Sequence, residues 1–267
     1  MSSVVDISLA NLLGFVSLLL LPLLLLQRWQ LIDVSKDMVI SIGRMVAQLL
    51  LVGLYLKYLF ELNHTVVNIV WLLIMMTVAN TNIVRRAGLR SMKLLVITQI
   101  SLLLSITVVT GLFLVVLVQP DSLFDARYLI PIAGMLLGNC LQGNIRALEV
   151  FFGELKDQEE AYLSDLLLGA TVREAVEPAL KKAFRSSLTP ILGSMATLGI
   201  VFLPGMMTGQ ILGGALPFIA AKYQIGIMVG IFMAVFCAIA LNLQLCLRVA
   251  FNPFGVLDKS VLLQQSE

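Results

Sequence analysis

Residues 94–118 read LLVITQISLLLSITVVTGLFLVVLV and contain no charged side chain. A helix needs about 20 predominantly apolar residues to cross the roughly 30 Å hydrocarbon core of a bilayer. This stretch exceeds that length, and long apolar runs are a requirement of the bilayer and not of a soluble core. The sequence therefore predicts a transmembrane helix here.

Runs of similar character lie on both sides of it. The same length requirement predicts spans at residues 8–26, 38–60, 66–84, 94–118, 129–151, 188–212 and 223–248. Of the 267 residues, 59% are hydrophobic and 13% are charged, whereas a soluble domain carries about 25% charged residues. We predict an all-α, polytopic integral membrane protein with about seven transmembrane helices, which form a single domain over residues 1–267 in a lipid bilayer.

Basic residues predict how the chain is inserted. With the N-terminus placed outside, thirteen of the 18 Lys and Arg residues fall on the cytoplasmic side, including Lys259. Arg127 and Lys222 fall on the outer side, and Lys57 lies near that boundary. Cytoplasmic loops carry an excess of Lys and Arg. This pattern predicts an outside N-terminus, and seven spans then place the C-terminus in the cytoplasm.

The segment over residues 153–187 differs from the rest because it is rich in acidic and basic residues. It is the only sizeable cytoplasmic segment of the predicted topology. Apolar residues recur in it at helical spacing on two stretches joined around Gly169, which predicts a pair of short amphipathic helices. Two interpretations stay open: the helices lie on the lipid headgroups, or they form a docking surface for another protein.

Several polar residues lie inside the predicted spans. Arg44 and Gln48 are one helical turn apart in the second span, and the fifth span carries Asn139, Gln142 and Asn144. Polar side chains within spans usually face the bundle interior or a water-filled path. All five are candidates to line a substrate pathway, although hydrogen bonding between helices explains the asparagines equally well. For Arg44 we favour a structural or gating role, because a guanidinium within the bilayer needs a partner.

Proline and glycine predict interruptions in two spans. Pro131 and nearby glycines mark the fifth span, and Pro204 with Gly205 interrupts the sixth. A helix broken within the bilayer is tolerated where it is buried in protein or lines a cavity, and such breaks often mark substrate sites. Pro204 and Gly205 are therefore candidate pathway residues. The spacing Gly134-x-x-x-Gly138 in the fifth span also fits close packing between helices.

Met206 and Met207 directly follow the break in the sixth span. Thioether sulfur suits soft metals, so both are candidate pathway residues. Methionine is also an ordinary filler of gaps in apolar cores. The ligands of any metal stay unknown on this basis.

The sequence offers little for catalysis. A single histidine, His64, excludes sites built from several histidines, and the phosphate-binding motif GxxxxGK[ST] is missing. Glu149 is the only carboxylate candidate for a proton relay within a span, and it is a candidate partner for Arg44. The net charge of +2 gives no support for nucleic-acid binding. We therefore predict a protein that is not an enzyme, binds no nucleic acid and holds no cofactor of its own.

Five stretches carry the most distinctive residues: SIGRMVAQLLLVGLYLKYLF at 41–60, IPIAGMLLGN at 130–139, LSDLLLGAT at 163–171, VFLPGMMTGQILGG at 201–214 and AAKYQI at 220–225. These stretches resemble the Fet-type iron-export permease family. Its members are membrane subunits of bacterial ABC transporters, with plant relatives linked to aluminium tolerance. The resemblance extends over most of the chain.

This resemblance implies a permease domain in the bacterial inner membrane that pairs with a separate ATPase, as two permeases with two ATPases. ATP would be used by that partner, in agreement with the missing phosphate-binding motif. Leu168, Gly169, Ala170 and Thr171 resemble the core of the loop by which many ABC permeases dock into their ATPases, and Asp165 flanks this core. Iron or a related metal is the implied cargo, exported from the cytoplasm.

Two alternatives remain open. An ABC permease for a chelated metal or a non-metal cargo fits the amides and thioethers of the spans, because a hard iron ion prefers carboxylates and imidazoles. An intramembrane scaffold or regulatory protein without a pathway would explain the amphipathic helices and the polar residues, but not the interrupted spans.

Overall fold

Helices account for the regular structure of the chain. The structure is a computed structural model and describes residues 7–252 and 254–258. Its helices are α1 (Leu9–Ser17), α2 (Leu20–Arg28), α3 (Ile32–Leu62), α4 (Thr65–Arg86), α5 (Met92–Leu112, continued by π-helical residues Phe113–Val118), α6 (Ala126–Asp157), α7 (Glu159–Leu167), α8 (Val172–Ala175), α9 (Glu177–Thr197), α10 (Gly205–Leu212) and α11 (Pro217–Cys246). Sheet pairing in the described ranges is limited to two isolated bridges. The all-α prediction is confirmed.

Five stretches are long and apolar enough to cross a membrane: Leu9–Arg28, Ile32–Leu62, Thr65–Arg86, Met92–Val118 and Pro217–Cys246. They correspond to the first four predicted spans and the last one. The fifth and sixth predicted spans fall outside this group, because α6 carries many polar residues and the sixth span is interrupted. The count of seven and the orientation of the termini therefore stay predictions. Lys259, on which the orientation partly rests, lies outside the described residues.

The break predicted in the sixth span is confirmed, whereas the one predicted in the fifth is wrong. α9 ends at Thr197, and Gly199 turns the chain with a φ of +85° before α10 begins at Gly205. Glycine adopts such a positive φ without the steric cost that a Cβ brings. In contrast, α6 runs unbroken as far as Asp157. Pro131 lies near its N-terminal end, where the missing N–H removes one backbone hydrogen bond without dividing the helix.

The polar segment over residues 153–187 is helical, but it is not a separate helix pair. α6 continues into this segment, and α7 provides the first predicted amphipathic helix. The second predicted helix is divided between the short α8 and the start of α9, which runs on to Thr197. A single helix, α9, therefore joins the polar segment directly to the sixth predicted span.

The buried core is formed mainly by α5, α6 and α11, with α4 and α9 packed around them. α6 approaches α11 closely at Gly143, where an added Cβ would lie 2.6 Å from Cγ1 of Val235. A glycine is needed at this point because no side chain fits, and small residues allow such approaches between membrane helices. The spacing Gly134-x-x-x-Gly138 does not provide such a close approach between helices, since a Cβ on Gly138 would have no neighbour among the described residues within 4 Å.

A buried polar network joins the three central helices. Asn242 on α11 donates from Nδ2 to Oδ1 of Asn144 on α6 at 2.9 Å, and it accepts a hydrogen bond from Thr98 on α5 at 3.2 Å. The Sγ of Cys246 lies 3.5 Å from Oδ1 of Asn242. Unsatisfied polar groups are costly where water is excluded, so these bonds favour one relative position of α5, α6 and α11.

Asn242→Ala removes the residue that this network shares. We expect a loss of about 1–3 kcal/mol in the free energy of unfolding, because Asn144 keeps a buried polar atom without its partner. Unfolding of the purified protein in detergent measures the change. Asn82→Ala is the matched control, because the amide of Asn82 is exposed and donates to O of Val78 on its own helix. Equal destabilisation by both substitutions would contradict the role of the network.

Candidate substrate cavity and coupling segment

A cavity of about 340 Å³ lies between α6, α9, α11 and the connection from α9 to α10. Its polar lining consists of amide, hydroxyl and guanidinium groups from Asn139, Gln142, Arg146, Ser187 and Ser194. Sites for small molecules commonly span about 300–1,000 Å³. The cavity therefore has room for a small solute, and it is larger than a bare metal ion requires.

The interruption of the sixth span builds one wall of this cavity. Because α9 ends at Thr197, the residues that follow form irregular chain, and Leu198, Phe202 and Pro204 contribute to the lining. Backbone that leaves helical form at membrane depth is tolerated where it lines a cavity or is buried in protein. The break thus has the structural role that its sequence predicted.

Among the residues that the structure describes, Arg146 is the one charged residue that lines the cavity. Its Nε donates to Oγ of Ser186 on α9 at 2.8 Å, which holds the guanidinium between α6 and α9. In residues 7–252 and 254–258, no carboxylate forms an ion pair with it. Gln142 lies four residues earlier on α6, and residues at this spacing share one face of a helix. Two side chains with N–H donors therefore stand together in the cavity.

Three predicted pathway residues, Asn139, Gln142 and Pro204, line the same cavity. The structure does not place Asn144 with them, because Asn144 is fully buried and bonded to Asn242. For Asn144, the alternative interpretation as a hydrogen bond between helices describes the structure. From the sequence alone, the same two interpretations apply to Asn139 and Asn144, and the structure distinguishes these residues.

Three further predicted pathway residues lie on α10, directly after Pro204. Gly205, Met206 and Met207 are absent from the lining of the cavity. Met206 packs against the buried apolar core, which is the gap-filling role that methionine commonly has. The break itself contacts the cavity, but the methionines beside it do not.

Arg44 and Gln48 are exposed on α3, as are most residues of this helix, and they lie apart from the cavity. The buried residues of α3 are Ser35 and Leu59 alone. Glu149 is not the partner of Arg44, since no ion pair of Arg44 occurs among the described residues. A single chain therefore leaves this pair of polar side chains uncovered.

The contribution of α9 was missed by sequence reasoning. Ser187, Pro190 and Ser194 recur at intervals of three and four residues, which places them on one face of a helix. Arg146 was also left out of the predicted pathway, although it follows Gln142 by one helical turn. The spacing was the available signal in both cases.

Metal ligands are scarce in the part of the chain that the structure describes. It contains no group of three or more His, Cys, Asp or Glu side chains that could hold a metal ion. Hard cations prefer carboxylate and other oxygen ligands, and the cavity offers only neutral oxygens beside a positive charge. The cavity is therefore poorly suited to a bare hard cation.

The residues predicted to dock an ATPase form a tight turn between α7 and α8. Gly169 has a φ of +95°, and its N–H donates to O of Leu166 at 3.0 Å. The N–H of Ala170 donates to O of Asp165 at 3.0 Å. This pair of bonds is the Schellman motif, which ends a helix at a glycine with positive φ. The motif explains why a glycine follows Leu168.

A capping box begins the next helix immediately afterwards. Oγ1 of Thr171 accepts from the backbone N–H of Glu174 at 3.3 Å, and the Glu174 carboxylate accepts from the backbone N–H of Thr171 at 2.8 Å. Hydrogen bonds from the Thr171 side chain and backbone lower the pKa of the Glu174 carboxyl group. The turn is therefore fixed from both sides, by the end of α7 and the start of α8.

Two leucines are exposed at this turn, residues 167–171, which we call the α7–α8 tip. The side chains of Leu167 and Leu168 are 88% and 84% exposed. Apolar side chains exposed together on an otherwise polar surface often mark a site of contact with another molecule. The tip thus combines a fixed backbone with an uncovered apolar surface.

A turn that includes Phe251 and Gly255 packs against α7 and α8, next to the tip. The hydroxyl of Tyr162 on α7 donates to the backbone O of Gly255, and the Tyr162 ring lies 5.9 Å from that of Phe251. A Cβ on Gly255 would lie 2.9 Å from Cγ2 of Val172, which shows how closely the turn approaches α8. Burial raises the pKa of the Tyr162 hydroxyl. Contacts with this turn therefore hold both α7 and α8 in position.

The chain matches the family described as "Uncharacterised protein family (UPF0014)" over residues 10–251. Its relatives include the UPF0014 membrane protein slr1647 of Synechocystis, which is 34% identical over 203 residues, or 76% of this chain and 78% of that protein. The probable iron export permease protein FetB of Escherichia coli is 32% identical over 209 residues, or 78% and 79% of the two chains. Protein ALUMINUM SENSITIVE 3 of Arabidopsis thaliana is 33% identical over 197 residues, or 74% and 71%. No solved structure matches the chain.

The matched residues include both the cavity and the α7–α8 tip. The relatives include a bacterial protein named for iron export and a plant protein named for aluminium sensitivity. The resemblance that the five sequence stretches indicated is thereby confirmed. The chain belongs to the UPF0014 family of membrane proteins.

Proposed function

We propose that this chain is the permease subunit of an ABC transporter in the cell inner membrane. A separate ATPase supplies the energy, and the chain provides the route by which a cargo leaves the cytoplasm. In this proposal the cavity between α6, α9 and α11 holds the cargo, and the α7–α8 tip contacts the ATPase.

The position of α9 is the observation that carries the proposal. Its first residue follows α8 almost directly, and its second half contributes Ser187, Pro190 and Ser194 to the cavity. At a rise of about 1.5 Å per residue, roughly 20 Å of continuous helix separate its start at Glu177 from Pro190. A displacement of the tip is therefore transmitted to one wall of the cavity.

The cargo we propose is iron or a related metal. The name of the FetB relative supports this choice, since that protein is called a probable iron export permease. A metal complexed by another molecule, or a non-metal cargo, is the second candidate. That second candidate is favoured by the lining of the cavity, in which the described residues provide Arg146 and neutral polar groups but no carboxylate.

The proposal includes a second copy of the permease. Arg44 and Gln48 are exposed on α3 in the single chain, and polar side chains within a membrane normally contact protein or water. A two-fold pair of chains that meets along α3 would cover both residues. Two permeases would then bind two ATPases, one at each α7–α8 tip.

Leu168→Asp tests the contact with the ATPase. The purified permease and its cognate ATPase are reconstituted, and the rate of ATP hydrolysis is compared with and without permease. We expect the stimulation to fall at least about tenfold, because a charge replaces an apolar side chain and a loss of about 1.4 kcal/mol in contact free energy has this size. The fold is expected to persist, since Leu168 is 84% exposed.

Leu168→Met is the matched control, because it keeps an apolar side chain of similar volume. Its stimulation of the ATPase should remain close to that of the unchanged protein. If Leu168→Asp stimulates the ATPase as well as Leu168→Met does, the tip does not dock the ATPase.

Gln48→Cys tests the contact between two permeases. With Cys237 replaced by serine, we expect an oxidant to join two chains through residue 48, which gel electrophoresis detects as a dimer. The native Cys140 and Cys246 are buried. Leu50→Cys is the control, because Leu50 is also exposed in the single chain but lies on a different face of α3. Equal cross-linking at the two positions would contradict a dimer that meets along Arg44 and Gln48.

A further inference from the structure

The cavity has an unusual charge for a protein whose relative is named for moving a metal. Within residues 7–252 and 254–258, Arg146 is the one charged residue that lines it, and the other polar groups of the lining are neutral. Glu149 lies three residues further along α6 but does not line the cavity, and it forms no ion pair with Arg146 in the described part of the chain. The positive charge of Arg146 would repel a bare cation. Arg146 and Gln142 are both exposed in the single chain, so the cavity is open on their side.

The guanidinium of Arg146 is positioned but incompletely bonded. Its Nε donates to Oγ of Ser186, and no described residue forms a hydrogen bond with its two terminal amino groups. The Gln142 amide one turn earlier likewise has no hydrogen-bond partner among the described residues. An arginine that is hydrogen-bonded through one nitrogen still has free N–H donors on its other two nitrogens. These donors lie in the plane of the guanidinium group and match the geometry of carboxylate and phosphate oxygens.

The remaining polar groups of the lining fit the same chemistry. Hydroxyl groups of Ser187 and Ser194 donate to the backbone of α9, at Ala183 and Pro190 respectively. Asn139 donates to its own helix as well, at Met135. The unused donors of the cavity are therefore concentrated at Gln142 and Arg146, where an anionic group would be bound.

We propose that this cavity binds an oxyanion, a carboxylate or phosphate group, through Arg146 and Gln142. This inference rests on the proposed function and names its substrate class: a metal enters the cavity as a complex with an anionic oxygen ligand and not as a bare ion. A volume of about 340 Å³ accommodates such a complex. The complex brings the anionic oxygen ligands that the described lining of the cavity lacks.

Binding to the full chain in phosphatidylcholine nanodiscs tests the proposal without the ATPase. The probes are ferric citrate, citrate alone, inorganic phosphate and ferrous ion without a chelator. We expect at least one oxyanion probe to bind, and Arg146→Gln to weaken that binding at least about tenfold. Arg146→Lys should recover only part of the affinity, because lysine keeps the charge but loses the planar fork.

Arg90→Gln is the matched control. Arg90 is exposed in the connection between α4 and α5, outside the cavity, so its removal should leave binding unchanged. Unfolding without a probe establishes whether the Arg146 variants remain folded. Binding that is equally weakened in both Gln variants would overturn the proposal, because it would show a general effect of positive charge.

A second set of nanodiscs contains phosphatidylglycerol. If soluble oxyanions bind in phosphatidylcholine, the ligand comes from solution. If retention of phosphatidylglycerol depends on Arg146 and soluble probes do not bind, a lipid headgroup supplies the oxyanion. Binding of bare ferrous ion that is unaffected by Arg146→Gln, with no Arg146-dependent binding of any oxyanion, would overturn the proposal. Since no ATPase is present, this outcome is separate from a failure of the α7–α8 tip to dock.

Discussion

The contact between α6 and α11 sets the positions of the helices that form the cavity. The hydrophobic effect cannot fix how two membrane helices slide along each other, because lipid tails are as apolar as leucine. Gly143 and Val235 bring the two helices close together, and the bond between Asn144 and Asn242 favours one register. With that register set, the face of α6 that carries Arg146 is turned toward α9.

α9 is attached to both α6 and α11 by side-chain contacts. Lys182 forms an ion pair with Glu154 on α6, and Phe184 packs against Phe236 on α11 with their rings 5.9 Å apart. Pro190 cannot donate a backbone hydrogen bond, so α9 is most easily bent beside the cavity. The helix therefore joins the α7–α8 tip to a wall of the cavity, and we propose that this wall moves by bending of α9 at Pro190.

Much of this arrangement could be predicted from the sequence, and the reasons for the failures are physical. Length and hydropathy indicated most helices, and Pro204 with Gly205 indicated the break in the sixth span. Gly169 is predicted from the sequence as a break between two amphipathic stretches, and the Schellman motif that ends α7 is the physical reason for this break. Pro131 was misleading because a proline near the start of a helix removes one bond without ending the helix.

The cavity itself was only partly predictable. Asn139 and Asn144 are five residues apart, which turns them to different sides of α6, and only packing decides which side faces other helices. Arg44 and Gln48 share a face, as predicted, but that face is uncovered in one chain. Local spacing gives the face on which a residue lies, whereas the neighbour on that face depends on helices distant in the sequence.

We propose that α9 transmits a movement of the tip to the cavity. The most direct test replaces Ser194, which lines the cavity, by cysteine in a chain whose Cys237 is serine. The rate at which a membrane-impermeant thiol reagent modifies residue 194 is then measured with the cognate ATPase bound, with and without a non-hydrolysable ATP analogue. If α9 transmits the movement, the nucleotide changes this rate, and Leu168→Asp abolishes the change. An unchanged rate, with the ATPase bound and nucleotide present, would contradict this proposal.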